Sequence, residues 1–149
     1  MYNFLEKQLL KEKVIISNEK LKENLLGITV NFADIYYEGI NIANVEKTTV
    51  STYLLYNKIA IKNVRLLDSF KSMFPSPISN VYLTYSVLDY KNIQVEADGI
   101  FGKAQGSIDL INKKVFISID ASRIMKNSYS NMLRQMTLKD GRYLYEYKF

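Results

Sequence analysis

A mainly β fold, an antiparallel meander forming a curved sheet with short helices at the N-terminus and near residues 123–136, is predicted by three features of this 149-residue sequence. Six or seven runs alternate apolar and polar residues with a period of two, the signature of half-buried strands. Short polar turns separate those runs, as hairpins require. Gly99, Gly102 and Gly106 punctuate one of the runs and mark a bulge or bend, so the sheet is expected to curve there.

The first dozen residues depart from that pattern. Tyr2, Leu5 and Leu9 fall on one face at helical spacing, with Glu6, Lys7 and Lys11 opposite. Val14, Ile15 and Ile16 form an apolar run too short to classify by period. Ser17 caps a second short helix, Glu19–Leu26, which Gly27 ends. Residues 1–26 therefore read as a helical lead-in.

Residues 27–66 are the first strand set. Ile28, Val30 and Phe32 alternate with Thr29 and Asn31, and Ile35 and Tyr37 continue after a phase shift at Ala33–Asp34. Glu38–Gly39 is a turn, and Ile40 and Ile42 resume the alternation. Val50–Tyr56 and Lys58–Leu66 read as two further strands, joined by a tight turn at Asn57–Lys58. Residues 67–80, with Phe70, Met73 and Phe74 before Pro75-Ser-Pro77, are a connection formed by a short helix or a loop that the prolines end. Composition is similar on both sides, so one domain spanning 1–149 is expected.

Residues 81–149 hold the second strand set and one helix. Val81, Leu83, Tyr85 and Val87 alternate with Tyr82, Thr84 and Ser86; Ile93, Val95 and Ala97 oppose Gln94, Glu96 and Asp98. Ala104, Gly106, Ile108 and Leu110 form the next run, Asn112–Lys113 a turn, and Val115, Ile117 and Ile119 the strand after it. Ser122 or Asp120 caps a helix whose Met125, Tyr129, Met132, Leu133 and Met136 share a face. Asp140–Gly141 turns the chain into a final strand with Tyr143, Tyr145 and Tyr147 on one side.

Composition excludes more chemistry than it assigns. The chain has no His, Cys or Trp, which removes thiol nucleophiles, disulfides, histidine acid–base catalysis and the usual zinc and haem ligand sets. No apolar run reaches the ~18 residues of a membrane-spanning helix, and the lysines and glutamates of residues 1–26 argue against a signal peptide. The net charge is +5, concentrated as +3 in residues 57–74 and +4 in residues 123–149. Such surfaces favour anionic lipid headgroups or nucleic acid, or serve only to keep the protein soluble.

No catalytic, cofactor-binding or metal constellation stands out. Asp98, Asp109 and Asp120 recur at eleven-residue intervals but read as polar-face or turn residues. Gly99-Ile-Phe-Gly102-Lys103 lacks phosphate-loop spacing and precedes a strand. The tyrosine stripe beside Arg142 and Lys148 suits stacking on single-stranded nucleic acid, and equally suits ordinary strand packing.

The run Ala97-Asp-Gly99-Ile-Phe-Gly102-Lys-Ala-Gln-Gly106-Ser-Ile108-Asp-Leu110 resembles the strand-turn-strand signature of the type II secretion system protein N family and the related AsmA-like bacterial envelope proteins. Leu5–Ser17 looks like the segment after that family's membrane anchor, Gly27–Ile40 like its first hairpin, and Leu138–Tyr143 like its last strand. The resemblance implies a non-enzymatic periplasmic protein tethered to the inner membrane by an anchor preceding this chain, with no cofactor. It implies inner-membrane or secretion-machinery proteins as partners, and lipid as a further one.

Two readings follow. A curved sheet with an apolar concave face would shield acyl chains, with Ile93, Val95, Ala104, Ile108, Val115 and Ile117 as lining, unless the helix at 123–136 covers them. A basic β domain would bind nucleic acid through Lys58, Lys62, Arg65, Arg134 and Arg142, with salt-sensitive affinity. The second is weakened because cations and aromatics do not interleave around one compact site.

Overall fold

β-branched and aromatic residues dominate the chain from Val14 onward, and the backbone is extended through most of it. The computed structural model describes residue 10, residues 13–72 and residues 74–149. The strands are β1 (Val14–Ser17), β2 (Lys20–Asn24), β3 (Gly27–Tyr37), β4 (Ile40–Thr52), β5 (Tyr56–Leu66), β6 (Ile78–Ser86), β7 (Asp89–Gly99), β8 (Gly102–Asp109), β9 (Lys114–Ala121), β10 (Thr137–Lys139) and β11 (Arg142–Lys148). They form one open antiparallel sheet in the order β1-β3-β4-β5-β6-β7-β8-β9-β11-β10, with β2 also paired to β3. Three helical turns interrupt it: α1 (Asp68–Lys71), α2 (Arg123–Ser128) and α3 (Ser130–Leu133).

The mainly β architecture agrees with the sequence reading, and several local expectations do not. The predicted N-terminal helix lies outside the described residues, save Leu10. The expected helix over Glu19–Leu26 is instead the strand β2, a turn at Leu25–Leu26 and a hairpin return, with Lys20 opposite Asn31 and Asn24 opposite Gly27. An eight-residue helix is marginal in isolation, and the ladder groups of β3 offered its backbone a better partner. In the described part of the lead-in Leu10 is helical, and residues 13–26 form two strands with their turns.

The expected turn at Asn57–Lys58 lies inside β5, opposite Tyr85 and Thr84. The chain reverses earlier, at Tyr53–Leu55, where Tyr53 N–H donates to Tyr56 O. Apolar alternation carried the sequence reading through Leu54 and Leu55, which here form the turn itself. The connection between β5 and β6 holds α1 and the proline segment, and Leu66 N–H donates to Ser76 Oγ across it. β5 and β6 are direct neighbours, so both strand sets belong to the same sheet.

The phase shift on β3 falls at Phe32, whose φ of 55° is unusual for a bulky residue. Asn63 on β5 has φ 51° at the same level, and its Nδ2 donates to Glu46 Oε2 of the intervening strand at 2.6 Å. Register runs unbroken past these residues, Asn31 opposite Lys47 and Ala33 opposite Val45. Alternation therefore inverts along a crease crossing β3 to β5, which is why Val30 and Ala33, three apart, are both buried. Curvature was expected at the glycines; this crease is a second bend that glycine does not mark.

The helix expected at 123–136 is broken at Tyr129 (φ −125°, ψ 29°) into α2 and α3. Ser122, not Asp120, caps it: its Oγ accepts from Met125 N–H at 3.1 Å and donates to Ile100 O. Ser122→Ala is expected to cost about 1 kcal/mol of stability, measured as a lower urea midpoint. Met125 and Leu133 pack with Phe101 and Ala121 into the main core, flanked by Ala97, Ala104, Ile119 and Tyr143. A smaller cluster of Ile28, Val30 and Ala33 lies at the other side of the sheet. Among the described residues only nine hydrophobic side chains are buried, so much of the sheet has no second layer.

Candidate functional site

Pairing register sorts the sheet into two chemically distinct faces. Ile28, Val50, Ile59, Leu83, Val95, Gly106, Ile117 and Tyr145 stand opposite one another in sequence across β3 to β11. Seven strand steps make that row about 34 Å long. A parallel row toward one end of the strands holds Tyr85, Ile93, Ile108, Val115 and Tyr147. The opposite face carries Lys47, Lys62, Asn80, Asp98, Lys103 and Asp120 in one row and Thr84, Gln94 and Ser107 in another. One face is apolar; the other is mainly polar and also carries Tyr82, Phe116 and Leu144.

All six expected lining residues lie on the apolar face, and all are half-buried. Ala104 is the exception in availability: it packs in the cluster beneath α2 and α3 and is a core residue. The other five lie outside that cluster. Among the described helices, α2 and α3 cover one end of the face; at the β3–β4 edge Ile28, Val30, Ala33, Ala43 and Val45 are buried as well. Ile117 marks the limit of the helical cover, lining a cavity of about 610 Å³ with Ile119, Tyr145, Phe74, Met132 and Met136. Methionine side chains adapt to irregular apolar shapes, which suits a cavity open along one side.

Gly106 sits in the middle of the long row. A Cβ there would stand 2.2 Å from Phe116 O, so no larger residue fits without moving β9.

The expected basic contacts are not gathered. Lys58, Lys62, Arg65 and Arg142 fall on the polar face, but β5 and β11 are five strand steps apart, about 24 Å. Arg134 follows α3, which packs over the apolar side. Tyr143, Tyr145 and Tyr147 lie on the apolar face, away from Arg142 and Lys148. Only Lys58 meets an aromatic ring, Tyr82, at 4.6 Å among these cations.

The aspartates do not converge. Asp98 and Asp120 flank Lys103 in one polar row, whereas Asp109 closes the β8–β9 turn by accepting from the N–H groups of Ile111 and Asn112. Those bonds, with Asn112 Nδ2 at 2.7 Å, hold its carboxyl below the ordinary value of 3.8. Among the described residues no group of three or more acidic side chains is placed to hold a metal ion. Nor is any helix among them long and apolar enough to cross a membrane.

One feature escaped the sequence reading. The hairpin turns at the end of the sheet remote from α2 and α3 carry Leu25–Leu26, Leu54–Leu55, Val87–Leu88 and Leu110–Ile111, all exposed. The available signal was apolar dipeptides breaking the alternation where turns usually place Gly, Asn or Asp.

Fold and face together define an open antiparallel sheet with one partly covered apolar surface. Compared with family models, curated proteins and solved structures, the chain matches none.

Proposed function

We propose that the chain is a non-catalytic, lipid-contacting module of bacterial envelope transport, held on the periplasmic side of the inner membrane as its resemblance to type II secretion protein N and AsmA-like proteins implies. Inner-membrane or secretion-machinery proteins are its expected partners. The observation that carries the lipid part is the apolar row of Leu83, Val95 and Ile117, part-exposed on a sheet face of which α2 and α3 cover one end. Contiguous apolar surface of this extent on a soluble protein calls for an occupant. An acyl chain suits it: the row is apolar from strand to strand and carries no charged side chain.

Binding of a fluorescent fatty acid to the purified chain tests the reading. Val95→Lys and Ile117→Lys place charges in the middle of the apolar row, on residues that are only partly buried. Each is expected to weaken capture about tenfold, equivalent to ~1.4 kcal/mol, with unchanged far-UV circular dichroism. Equal capture by both variants and the parent would sink it.

A further inference from the structure

We infer that the rim of turns remote from α2 and α3 inserts into the interface of an anionic lipid bilayer; this rests on the lipid-contacting reading above and names the surface from which the apolar face is reached. Leu25, Leu54 and Leu88 at the tips are 101%, 95% and 80% exposed. Turn tips are ordinarily the most polar part of a hairpin, so four apolar ones at the same end are not accounted for by folding. At the opposite end the two-residue turns are Glu38–Gly39, Ile100–Phe101 and Asp140–Gly141; the one apolar turn among them sends Phe101 into the main core, and the exposed Tyr37, Ile40, Phe74, Ile124 and Leu138 are not paired on turn tips.

The rim is tied together as a unit. Thr52 N–H donates to Leu26 O at 2.8 Å, Val87 N–H to Leu55 O at 3.0 Å, Leu110 N–H to Lys91 O at 2.8 Å and Phe149 N–H to Lys113 O at 2.9 Å. Successive tips are two strands apart, about 10 Å. Fluid acyl chains fill the gaps between such tips, whereas a folded protein partner would need a matching set of holes.

The residues just behind the tips fit the polar boundary of a bilayer. Tyr53 and Tyr56 stack at 4.6 Å beside the β4–β5 turn, and Tyr90 and Tyr147 are exposed at the same end. Tyrosine concentrates at that depth because its ring is apolar and its hydroxyl wet. Lys91, Lys113 and Lys148 are exposed there too, with long stems that let the ammonium reach headgroups. Beside these cations Asp89 is engaged with Asn92, Asp109 with its turn and Glu146 with Lys114 at 2.6 Å, and Glu23 near the first tip is a further exposed acid at this end. Finally, the row of Tyr85, Ile93, Ile108 and Val115 adjoins these turns, so the apolar face leads from the rim toward the helices.

The absence of tryptophan allows a direct test. Leu54→Trp and Leu88→Trp report from the rim and Ile124→Trp from the opposite end. Each is mixed with vesicles of phosphatidylcholine alone or with phosphatidylglycerol. Blue-shifted emission, quenched by brominated acyl chains, is expected for the two rim probes and not for Ile124→Trp, and more strongly with phosphatidylglycerol. Leu54→Ser combined with Leu88→Ser is expected to lower vesicle flotation at least tenfold while fatty-acid capture by the sheet face is retained. Capture without flotation in the parent chain, or flotation unaffected by the serine pair, overturns the rim assignment and leaves the lipid-contacting reading intact. Flotation through the rim without capture overturns the role of the face instead and leaves the rim standing.

Discussion

Met125→Ala is expected to lower the unfolding free energy by about 3 kcal/mol, the range of a large core residue cut to alanine. Met125 is the largest fully buried side chain, at 0% exposure, and α2 reaches the sheet through it. In a core of so few buried residues the neighbours Phe101, Ala121 and Leu133 cannot close the gap by small adjustments. The loss should appear in a urea titration followed by circular dichroism. Dye binding to exposed apolar surface should rise below the transition, because α2 and α3 release the covered end of the face. Met125→Leu keeps the volume and is expected to cost under about 1.5 kcal/mol. A cost below about 1 kcal/mol for the alanine variant would mean that the helices are held by something else.

A comparable loss is expected from Gly102→Ala, about 3 kcal/mol or a failure to fold. Gly102 begins β8 with φ +109°, and a Cβ there would meet Asp120 O at 2.1 Å and Ser122 N at 2.8 Å. Both atoms are backbone, so neither can rotate away, and the second belongs to the residue capping α2. Gly39→Ala provides the contrast. Its φ is +82°, but nothing lies within 4 Å of the added carbon, so only the backbone preference is lost, about 1 kcal/mol. The difference between the two urea midpoints measures the close approach itself. Equal midpoints would mean that β8 and β9 separate at little cost.

The candidate site was legible in proportion to how local its determinants are. Ile93, Val95, Ile108, Val115 and Ile117 share a face because alternation is a property of each strand, readable wherever the period holds. Ala104 read the same way and proved to be core, because whether a face residue is covered depends on where a distant helix lands. The five cations were read from two separate segments, and strand order keeps Lys58 and Arg142 apart on β5 and β11. The apolar turns were missed because Leu54 and Leu55 extend an apolar pattern, and only the hydrogen bond of Tyr53 to Tyr56 reveals the reversal.

From its sequence alone this chain is a β meander with hairpins at Glu38–Gly39, Asn112–Lys113 and Asp140–Gly141, a helical start capped at Ser122 or Asp120, and no histidine or thiol chemistry. Those features depend on period, turn residues and composition, which act over a few neighbours. Tertiary structure alone decided that Lys20–Asn24 is a strand, that alternation inverts at Phe32 and Asn63, and that the helices cover one end of the apolar face. It also set four apolar turns along one rim. Each of these is settled by pairing between strands distant in sequence, where hydrogen bonds and burial outweigh local preferences worth only tenths of a kcal/mol per residue.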